Sequence, residues 1–219
     1  MLCIISTPLG NLGDMSQRAI ETLKNADLIV AEDTRRTINL LKHLGIEKKR
    51  MTSFDRHAEK RKTPYIIAEL KEGKNVALVS DSGTPGINDP GEYLIKESIN
   101  AGIQVSPVPG PSAIITALVC SGLPTKKFTF YGFAPKKENE KKRFFEDIKD
   151  RKETKIFYES PYRVEKTMKL IADIMPENHV CIARELTKMH EEFIRGTAGE
   201  VYGKIKGKDL KGEIVIIIK

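Results

Sequence analysis

Residue types that mark several common protein classes are scarce or missing from this chain. Its 219 residues include three cysteines and no tryptophan, and aromatic residues make up only 6%. Cys3, Cys120 and Cys181 are odd in number and form no CxxC pair, which argues against a disulfide framework and a zinc site. We expect each of them to be a small core residue in a reducing cytoplasm.

Hydrophobic runs long enough to cross a membrane are missing as well. The longest apolar run extends only from Ile214 to Ile218, whereas a spanning helix needs about 20 apolar residues. The first five residues, MLCII, lack the basic start and the long apolar region of a signal peptide. The sequence therefore predicts a cytoplasmic protein without membrane contact.

Common nucleotide and metal motifs are absent too. The chain contains no G-x-x-x-x-G-K-[ST] phosphate loop, no G-x-G-x-x-G and no H-E-x-x-H. His190-Glu191-Glu192 resembles the last of these only superficially. We therefore expect no metal site.

Basic residues outnumber acidic residues in this sequence. The 37 Lys and Arg residues against 30 Asp and Glu residues give a net charge of +7, and many of them cluster in residues 48–62 and 126–149. This excess is compatible with a polyanionic partner such as nucleic acid. A lysine-rich proteome would explain the charge alone equally well.

Short apolar runs alternate with amphipathic stretches, which predicts an α/β fold with a mostly parallel, covered sheet in the first half. Strands are predicted there at residues 2–6, 28–30, 75–79 and 103–107, and helices at 16–25, 34–44, 60–71 and 91–100. Pro111 suits the first turn of a helix over 112–121. In the second half, strands are predicted at 128–133, 155–159, 179–184, 193–196 and 212–218, and helices at 139–150 and 162–174. We place an N-terminal α/β domain at 1–116 and a C-terminal α/β domain at 117–219.

The loop VSDSGTPGINDPG, residues 79–91, follows a predicted buried strand and is rich in Gly, Pro and Asp. Ligands of open α/β sheets bind outside the carboxyl ends of the strands, and glycine lets a backbone approach a ligand closely. Asp81 lies at the strand exit, where its carboxylate can accept from a ribose hydroxyl or meet a cation. A turn-rich connection in which Asp caps local amides is the simpler alternative, but we favour a ligand site.

Three further strand exits carry polar side chains. In AEDTRRT, residues 31–37, Asp33 or Thr34 can cap a helix, whereas Arg35 and Arg36 have no capping role and suit an anion. FYESPYR closes one later strand and ARELTK closes another. The recurrence of polar exits indicates convergence on a cleft.

These segments together resemble the bacterial ribosomal RNA small-subunit methyltransferase I family of the tetrapyrrole methylase superfamily. Six blocks carry the resemblance in order: TPLGNLGDMSQRA, AEDTRRTINLL, VSDSGTPGINDPG, PGPSAIITAL, FYESPYR and RELTKMHEE. The resemblance implies a two-lobed class III methyltransferase fold with the cofactor cleft between the lobes. It also implies a homodimer that uses S-adenosyl-L-methionine to methylate a cytidine 2′-oxygen in the decoding region of 16S rRNA, within the small ribosomal subunit.

The resemblance further implies positions for the site residues. The implied cofactor contacts are Pro8, Leu9, Asp81, Ser82, Gly83, Ile87, Ser112, Ala113, Tyr158, Glu159, Ala183, Arg184 and Gly212. For RNA phosphates we expect Arg35, Arg36, Arg163 and Lys188. Related sequences have a histidine where this chain has Asp55, which puts a role for that position in doubt. Many relatives also carry a further C-terminal segment, so RNA contacts made by that segment would be missing or replaced here.

Methyl transfer to a weakly acidic 2′-hydroxyl needs no metal but benefits from a base. The candidates are Glu32, Asp33, His57, Glu159 and Glu185, with Asp33 and Glu159 placed first. Each carboxylate can alternatively orient a neighbouring arginine.

Two other functions are compatible with parts of this pattern. A methyltransferase for a small macrocycle such as a precorrin would share the fold and the cofactor, but it leaves AEDTRRT and RELTKMHEE unexplained. A non-enzymatic RNA-binding protein would need the cofactor cleft to be a relic, which the intact loops argue against.

Overall fold

The computed structural model describes residues 1–219 and contains two compact units, Met1–Ser112 and Ala113–Lys219. The boundary predicted after residue 116 falls inside the helix Ala113–Ser121. This helix packs over its length on two strands of the second unit, so the division lies at its start. Pro111 precedes the helix instead of occupying its first turn.

The first unit is a five-stranded sheet flanked by helices, and its strand order is β3-β2-β4-β1-β5. Its strands are β1 (Leu2–Ile5), β2 (Leu28–Ala31), β3 (Met51–Ser53), β4 (Val76–Val79) and β5 (Val105–Val108). Its helices are α1 (Gln17–Asn25), α2 (Thr34–His43), α3 (Glu59–Lys71) and α4 (Glu92–Asn100). All neighbouring strands run parallel, so the predicted parallel sheet is confirmed.

Alternating side chains of these strands enter two separate cores, because successive residues of a strand point to opposite faces. Ile5, Ile29 and Ala77 pack on one face with Leu23 of α1 and Leu41 of α2. The strand side chains that point to the other face pack against α3 and α4. They are Leu2, Leu28, Val30, Val76 and Leu78, and they meet Ile66, Leu70 and Leu94 of the two helices. Both faces are therefore covered, as the continuous apolar runs LIVA and VALV indicate.

The second unit is a mixed sheet with the order β6-β7-β10-β8-β9. Its strands are β6 (Phe128–Phe133), β7 (Thr154–Glu159), β8 (His179–Arg184), β9 (Glu192–Thr197) and β10 (Ile214–Ile218). Its helices are α5 (Ala113–Ser121), α6 (Glu138–Ile148), α7 (Val164–Ile174) and α8 (Ala198–Ile205). Only β6 and β7 are parallel, whereas β10 runs antiparallel to both β7 and β8. Consequently β7 and β8 run in the same direction and end at the same edge.

Several local predictions agree with the structure and others do not. Ser16 caps α1, since its side chain accepts from the Ala19 amide at 3.2 Å, and Asp33 caps α2. The strand β3 and the helix α8 were not predicted. The sequence MTS of β3 is short and partly polar, and α8 contains Gly199 and Gly203, which lower helix propensity.

The expectation that all three cysteines lie in the core is wrong for one of them. Cys3 and Cys181 are buried, but Cys120 is exposed. Cys120 lies on α5, and the apolar side chains of Ile115 and Val119 on the same helix are exposed as well. Among the helices of the chain, none combines the length and the apolar character needed to cross a bilayer.

Gly91, at the end of the loop after β4, should tolerate no side chain. Its φ is +139°, and a Cβ would lie 2.9 Å from Leu78 Cδ2 and 3.3 Å from the Gly86 nitrogen. We expect Gly91→Ala to lower the free energy of unfolding by about 1–3 kcal/mol, as measured by urea unfolding.

Gly203→Ala in α8 is the matched control, because no atom lies within 4 Å of its Cβ position. It should raise the free energy of unfolding by up to about 1 kcal/mol, since alanine is the better helix former. Equal stability of the Gly91 variant and the wild-type protein would contradict the close packing of this loop.

Candidate functional site

The loops after β1, β4 and β5 are bonded to one another at the carboxyl edge of the first sheet. The backbones of Thr7 and Gly83 exchange two hydrogen bonds, of 2.8 and 3.0 Å. The Thr7 hydroxyl donates to the Ser80 carbonyl at 3.0 Å, and the Thr84 hydroxyl donates to the Pro111 carbonyl at 3.2 Å. Three segments that are distant in sequence thus form one bonded platform, which we call the first edge.

The predicted cofactor contacts of the first unit lie on or beside this platform. Gly83 has a φ of +81°, and a Cβ there would lie 3.4 Å from Leu9 Cδ2. Leu9 is buried, whereas Pro8 and Ser82 are partly exposed. The exposed Ile87 lies farther along the loop, where it lines a shallow depression of about 480 Å³ together with residues of α4. Ser112 and Ala113 lie where the two units join and are partly exposed.

Three carboxylates influence one another where β2 and β4 end. The Asp81 amide donates to Glu32 Oε2 at 3.4 Å, and burial raises the pKa of both Glu32 and Asp81. Burial raises the pKa of Asp89 to about 6, and the negative charge of Glu32 makes a smaller contribution in the same direction. The positive charge of Arg56 lowers this pKa. No group of three or more His, Cys, Asp or Glu side chains is arranged to hold a metal ion.

Asp33 differs from these carboxylates because a neighbouring arginine holds it. Its Oδ1 accepts from the Arg35 amide at 2.8 Å, and its Oδ2 accepts from Arg35 Nη2 at 2.7 Å. The hydrogen bonds from the Arg35 side chain lower the pKa of Asp33 to about 2. A carboxylate with such a low pKa is a poor proton acceptor at neutral pH. The structure therefore favours the alternative in which Asp33 caps α2 and orients Arg35.

The two arginines expected to contact RNA extend from the start of α2 into solvent. The side chain of Arg35 is 88% exposed. The Arg36 side chain is 66% exposed, with its Nε 3.4 Å from Asp81 Oδ2. Both guanidiniums thus keep donor surface while they are anchored to carboxylates of the first edge.

The loop after β3 joins the first edge as well. Asp55 accepts from the amides of His57 and Ala58 at 2.9 and 2.8 Å, so it caps the turn before α3. Arg56 donates to the Asn88 carbonyl of the long loop. His57 is exposed beside this contact. Asp55 therefore has a structural role in this chain.

The predicted contacts of the second unit meet at one edge of its sheet, which we call the second edge. In the register, Ile214 lies opposite both Glu159 and Arg184. Val215 lies opposite both Tyr158 and Ala183. Gly212 lies two residues before the start of this strand, so the topology brings all five predicted residues together.

The loop residues at the second edge are held by ion pairs. Glu185 Oε1 accepts from Lys188 Nζ at 2.9 Å and from the Glu213 amide at 3.0 Å. Gly212 has a φ of +90°, a conformation that favours glycine, and a Cβ there would lie 2.2 Å from that same oxygen. Arg184 Nε pairs with Glu192 at 2.7 Å. Lys188 also pairs with Glu213 at 3.0 Å, so its charge is largely neutralised by its neighbours.

Glu159 is completely enclosed in the second unit, with a side-chain exposure of 0%. Its Oε1 accepts from the Ser160 amide at 2.7 Å and pairs with Arg163 Nη2 at 2.6 Å. Its Oε2 accepts from the Thr167 hydroxyl at 2.6 Å and lies 3.3 Å from Lys141 Nζ. All its oxygens therefore have partners, and the geometry argues against Glu159 as a base that contacts a substrate.

Two groups of this arrangement escaped the sequence analysis. Asp89 belongs to the Gly/Pro/Asp loop, and its carboxylate beside the strand exit could have marked it. Lys141 gave no signal, because it lies in a charged helix whose lysines look like solvent-facing residues. Its burial at 6% exposure follows only from the packing of α6 on the second sheet.

Comparisons with known proteins agree with this architecture. The sequence model of the tetrapyrrole (corrin/porphyrin) methylases matches residues 1–202. The ribosomal RNA small subunit methyltransferase I of Bacillus subtilis is 44% identical over 219 residues, which cover 100% of this chain and 75% of that protein. The protein of the same name from Thermotoga maritima is also 44% identical, over 99% of this chain and 97% of its own length.

Two solved structures resemble the whole chain at low sequence identity. The methyltransferase CobJ aligns with a TM-score of 0.72 and 16% identity, over 99% of this chain and 92% of its own. The uroporphyrin-III-C-methyltransferase of Thermus thermophilus aligns with a TM-score of 0.62 and 16% identity, over 99% of this chain and 90% of its own. At this identity the likeness concerns the fold alone.

The raised pKa of Asp89 predicts a pH-dependent effect on stability. The folded state keeps this proton up to a pH of about 6, whereas the unfolded chain releases it near its ordinary pKa of about 4. Stability should therefore fall as the pH rises through this window. At pH 7 the free energy of unfolding of Asp89→Asn, measured with urea, should exceed that of the wild type by about 1 kcal/mol. This value is small because the group is partly solvated. At pH 4 the two proteins should be equally stable.

Asp173→Asn is the control for this experiment. Asp173 is exposed and pairs only with Lys169 across one turn of α7, so its replacement should change stability little at either pH. If Asp89→Asn proved less stable than the wild type at pH 7, favourable partners rather than desolvation would dominate at Asp89.

Proposed function

The chain belongs to the ribosomal RNA small subunit methyltransferase I family of the tetrapyrrole methylases, and on that basis we propose that it methylates a cytidine 2′-oxygen in the decoding region of 16S rRNA. Family membership makes it an rRNA methyltransferase. The donor S-adenosyl-L-methionine, the 2′-oxygen, the small ribosomal subunit as substrate and the homodimer are the finer parts of the proposal.

One observation supports this function above the others. The segments that match the family gather at the first edge and at the second edge, although they are dispersed along the sequence. The backbone bonds between Thr7 and Gly83 and the register of Ile214 with Glu159 and Arg184 produce this gathering. Family resemblance and folded geometry thus select the same residues.

The residues of the first edge fit an adenosyl cofactor. Gly83 has a positive φ and no side chain, so the loop backbone runs close to Leu9. The Asp81 carboxylate at the strand exit can accept from ribose hydroxyls. We assign Pro8, Leu9, Asp81, Ser82 and Gly83 to hold the cofactor. When bound, the cofactor supplies a methyl group activated by its positively charged sulfur.

The second edge adds the remaining cofactor residues of the proposal. They are Tyr158, Glu159, Ala183, Arg184 and Gly212, with Ile87, Ser112 and Ala113 contributed from elsewhere in the chain. Ala183 is completely buried, so its backbone rather than its methyl group would make the contact. Glu159 would act through the residues that it orients.

The chain must also remove a proton from the 2′-hydroxyl. The structure engages Asp33, Glu159 and Glu185 with cations, which leaves Glu32, Asp89 and His57 as candidate proton acceptors. Asp89 combines partial burial with a pKa of about 6, so it is ionised at neutral pH and a stronger base than an ordinary aspartate. We therefore assign the base to Asp89, with His57 as the alternative.

Recognition of RNA over DNA follows from the 2′-hydroxyl acceptor itself. Arg35 and Arg36 would contact phosphates, because both guanidiniums are exposed beside the first edge. Binding should then weaken with salt, since each phosphate contact releases counterions. The precorrin alternative has weaker support, because the two solved methyltransferase structures are only 16% identical to this chain, whereas the rRNA methyltransferases are 44% identical.

The test of this function is a methyl-transfer assay on small ribosomal subunits that lack the modification. The purified protein is incubated with methyl-labelled S-adenosyl-L-methionine, and the digested nucleosides are identified by mass. Label on a cytidine ribose is the expected result. Label on a base, or none despite measurable cofactor binding, would refute the proposed acceptor.

Replacement of Asp89 should separate catalysis from binding. We expect Asp89→Asn to lower the single-turnover rate by about 10²–10⁴-fold, the usual contribution of a general base. The affinity for S-adenosyl-L-methionine, measured by calorimetry, should change less than about threefold, which corresponds to less than about 0.7 kcal/mol.

Asp173→Asn again serves as the control and should keep the wild-type rate. His57→Gln tests the alternative base in the same assay. An unchanged rate for Asp89→Asn together with a large loss for His57→Gln would transfer the role of base to His57.

A further inference from the structure

The buried carboxylate of Glu159 is shared by two cations. Lys141 and Arg163 both contact it, at 3.3 and 2.6 Å, and Lys141 Nζ also donates to the Thr167 hydroxyl at 2.7 Å. The side chains of Lys141 and Arg163 are 7% and 23% exposed. We call these four residues, Glu159, Lys141, Arg163 and Thr167, the Glu159 cluster.

The Glu159 cluster carries one more positive charge than negative charge. Two cations against one carboxylate leave a net charge of +1 in a poorly solvated place. A buried charge without a counter-charge is costly, because little water remains to stabilise it. An anionic group that joined the cluster would balance this charge.

The donors of the Glu159 cluster identify where that group would bind. Among all side chains, three buried polar atoms have no hydrogen-bond partner: Ser98 Oγ, Tyr131 Oη and Arg163 Nη1. Only the last belongs to a charged group. Since Arg163 Nη2 is used by Glu159 at 2.6 Å, the guanidinium is held in one orientation, with Nη1 buried and without a partner.

We propose that Arg163 Nη1 binds an oxyanion of a ligand, and that Glu159, Lys141 and Thr167 orient the guanidinium for this contact. Hydrogen bonds from a guanidinium to a carboxylate or a phosphate oxygen are short and strong. Such a group satisfies the open donor and also neutralises the excess charge. An uncharged ligand would satisfy only the donor.

The source of the oxyanion rests on the proposed function. In a methyltransferase that acts on RNA, the carboxylate of the methyl donor and a phosphate of the RNA backbone both have the required chemistry. Arg163 lies four residues beyond Glu159 and five beyond Tyr158, two residues assigned to the cofactor. It is also the N-cap residue of α7, where the helix dipole adds to the attraction for an anion.

The test uses two replacements of Arg163 and one control. Arg163→Gln removes the charge, whereas Arg163→Lys keeps a partner for Glu159 but lacks the second amino group. Lys169→Gln removes an exposed, ion-paired cation of the same helix. Thermal unfolding without ligand first establishes that each variant is folded, and the lysine variant preserves the test if the glutamine variant is not.

Calorimetry then compares S-adenosyl-L-methionine with its decarboxylated analogue. If the oxyanion is the cofactor carboxylate, both Arg163 variants lose about 10–100-fold in affinity for S-adenosyl-L-methionine. Their affinity for the decarboxylated analogue stays at the wild-type value. Lys169→Gln binds both compounds as the wild type does.

RNA binding is measured on the same variants over a range of salt concentrations. If the oxyanion is a phosphate, both Arg163 variants bind 16S rRNA more weakly, and the slope of log affinity against log salt falls by about one. Their cofactor affinity is then unchanged. If neither ligand binds differently to a folded Arg163 variant, the proposal is wrong.

The melting temperature measured with inorganic phosphate tests this proposal independently of the proposed function. A wild-type protein that neither binds the cofactor nor methylates rRNA would refute the function alone. Phosphate should still raise the melting temperature of the wild type more than that of Arg163→Lys. An equal rise in both proteins would show binding elsewhere and would refute the oxyanion position.

Discussion

The pair of backbone hydrogen bonds between Thr7 and Gly83 is the constraint on which the first edge depends. Parallel strands place their carboxyl ends together, but they do not fix the loops that follow. This pair ties the loop after β1 to the loop after β4, and the Thr84 hydroxyl extends the connection to Pro111. The long Gly/Pro/Asp loop is therefore held at its start, close to the residues assigned to the cofactor.

The remainder of that loop is fixed from the other side by α3. Glu59 Oε1 accepts from the amides of Gly91 and Tyr93 at 2.8 and 3.0 Å, so a carboxylate of one helix caps the start of the next. Arg56 holds the Asn88 carbonyl between these two anchors. Asp89 thus lies in a segment fixed on both sides, which keeps its carboxylate near Glu32 and Asp81 and maintains their mutual repulsion.

The carboxylates of the two edges divide into two kinds by their partners. Asp33 and Glu159 have strong cationic partners and serve to orient arginines. Glu32, Asp81 and Asp89 are partly buried with raised pKa values, although Arg36 pairs with Asp81 at 3.4 Å, and this arrangement costs stability. Unfavourable electrostatics that the fold tolerates are typical of catalytic sites, which is why the base is assigned to the second group.

Local information in the sequence determined most of the elements, the parallel sheet of the first unit and the loops that carry chemistry. Apolar runs such as LIVA and VALV, the cap at Ser16 and the Gly/Pro/Asp loop are readable because they depend on residues adjacent in the chain. Only the tertiary structure decided which side chains are free. Lys141 meets Glu159 across 18 residues, and Asp81 meets Asp33 across 48. Burial and pairing of this kind depend on how separate elements pack, so a carboxylate that orients an arginine and one that accepts a proton look alike until the chain is folded.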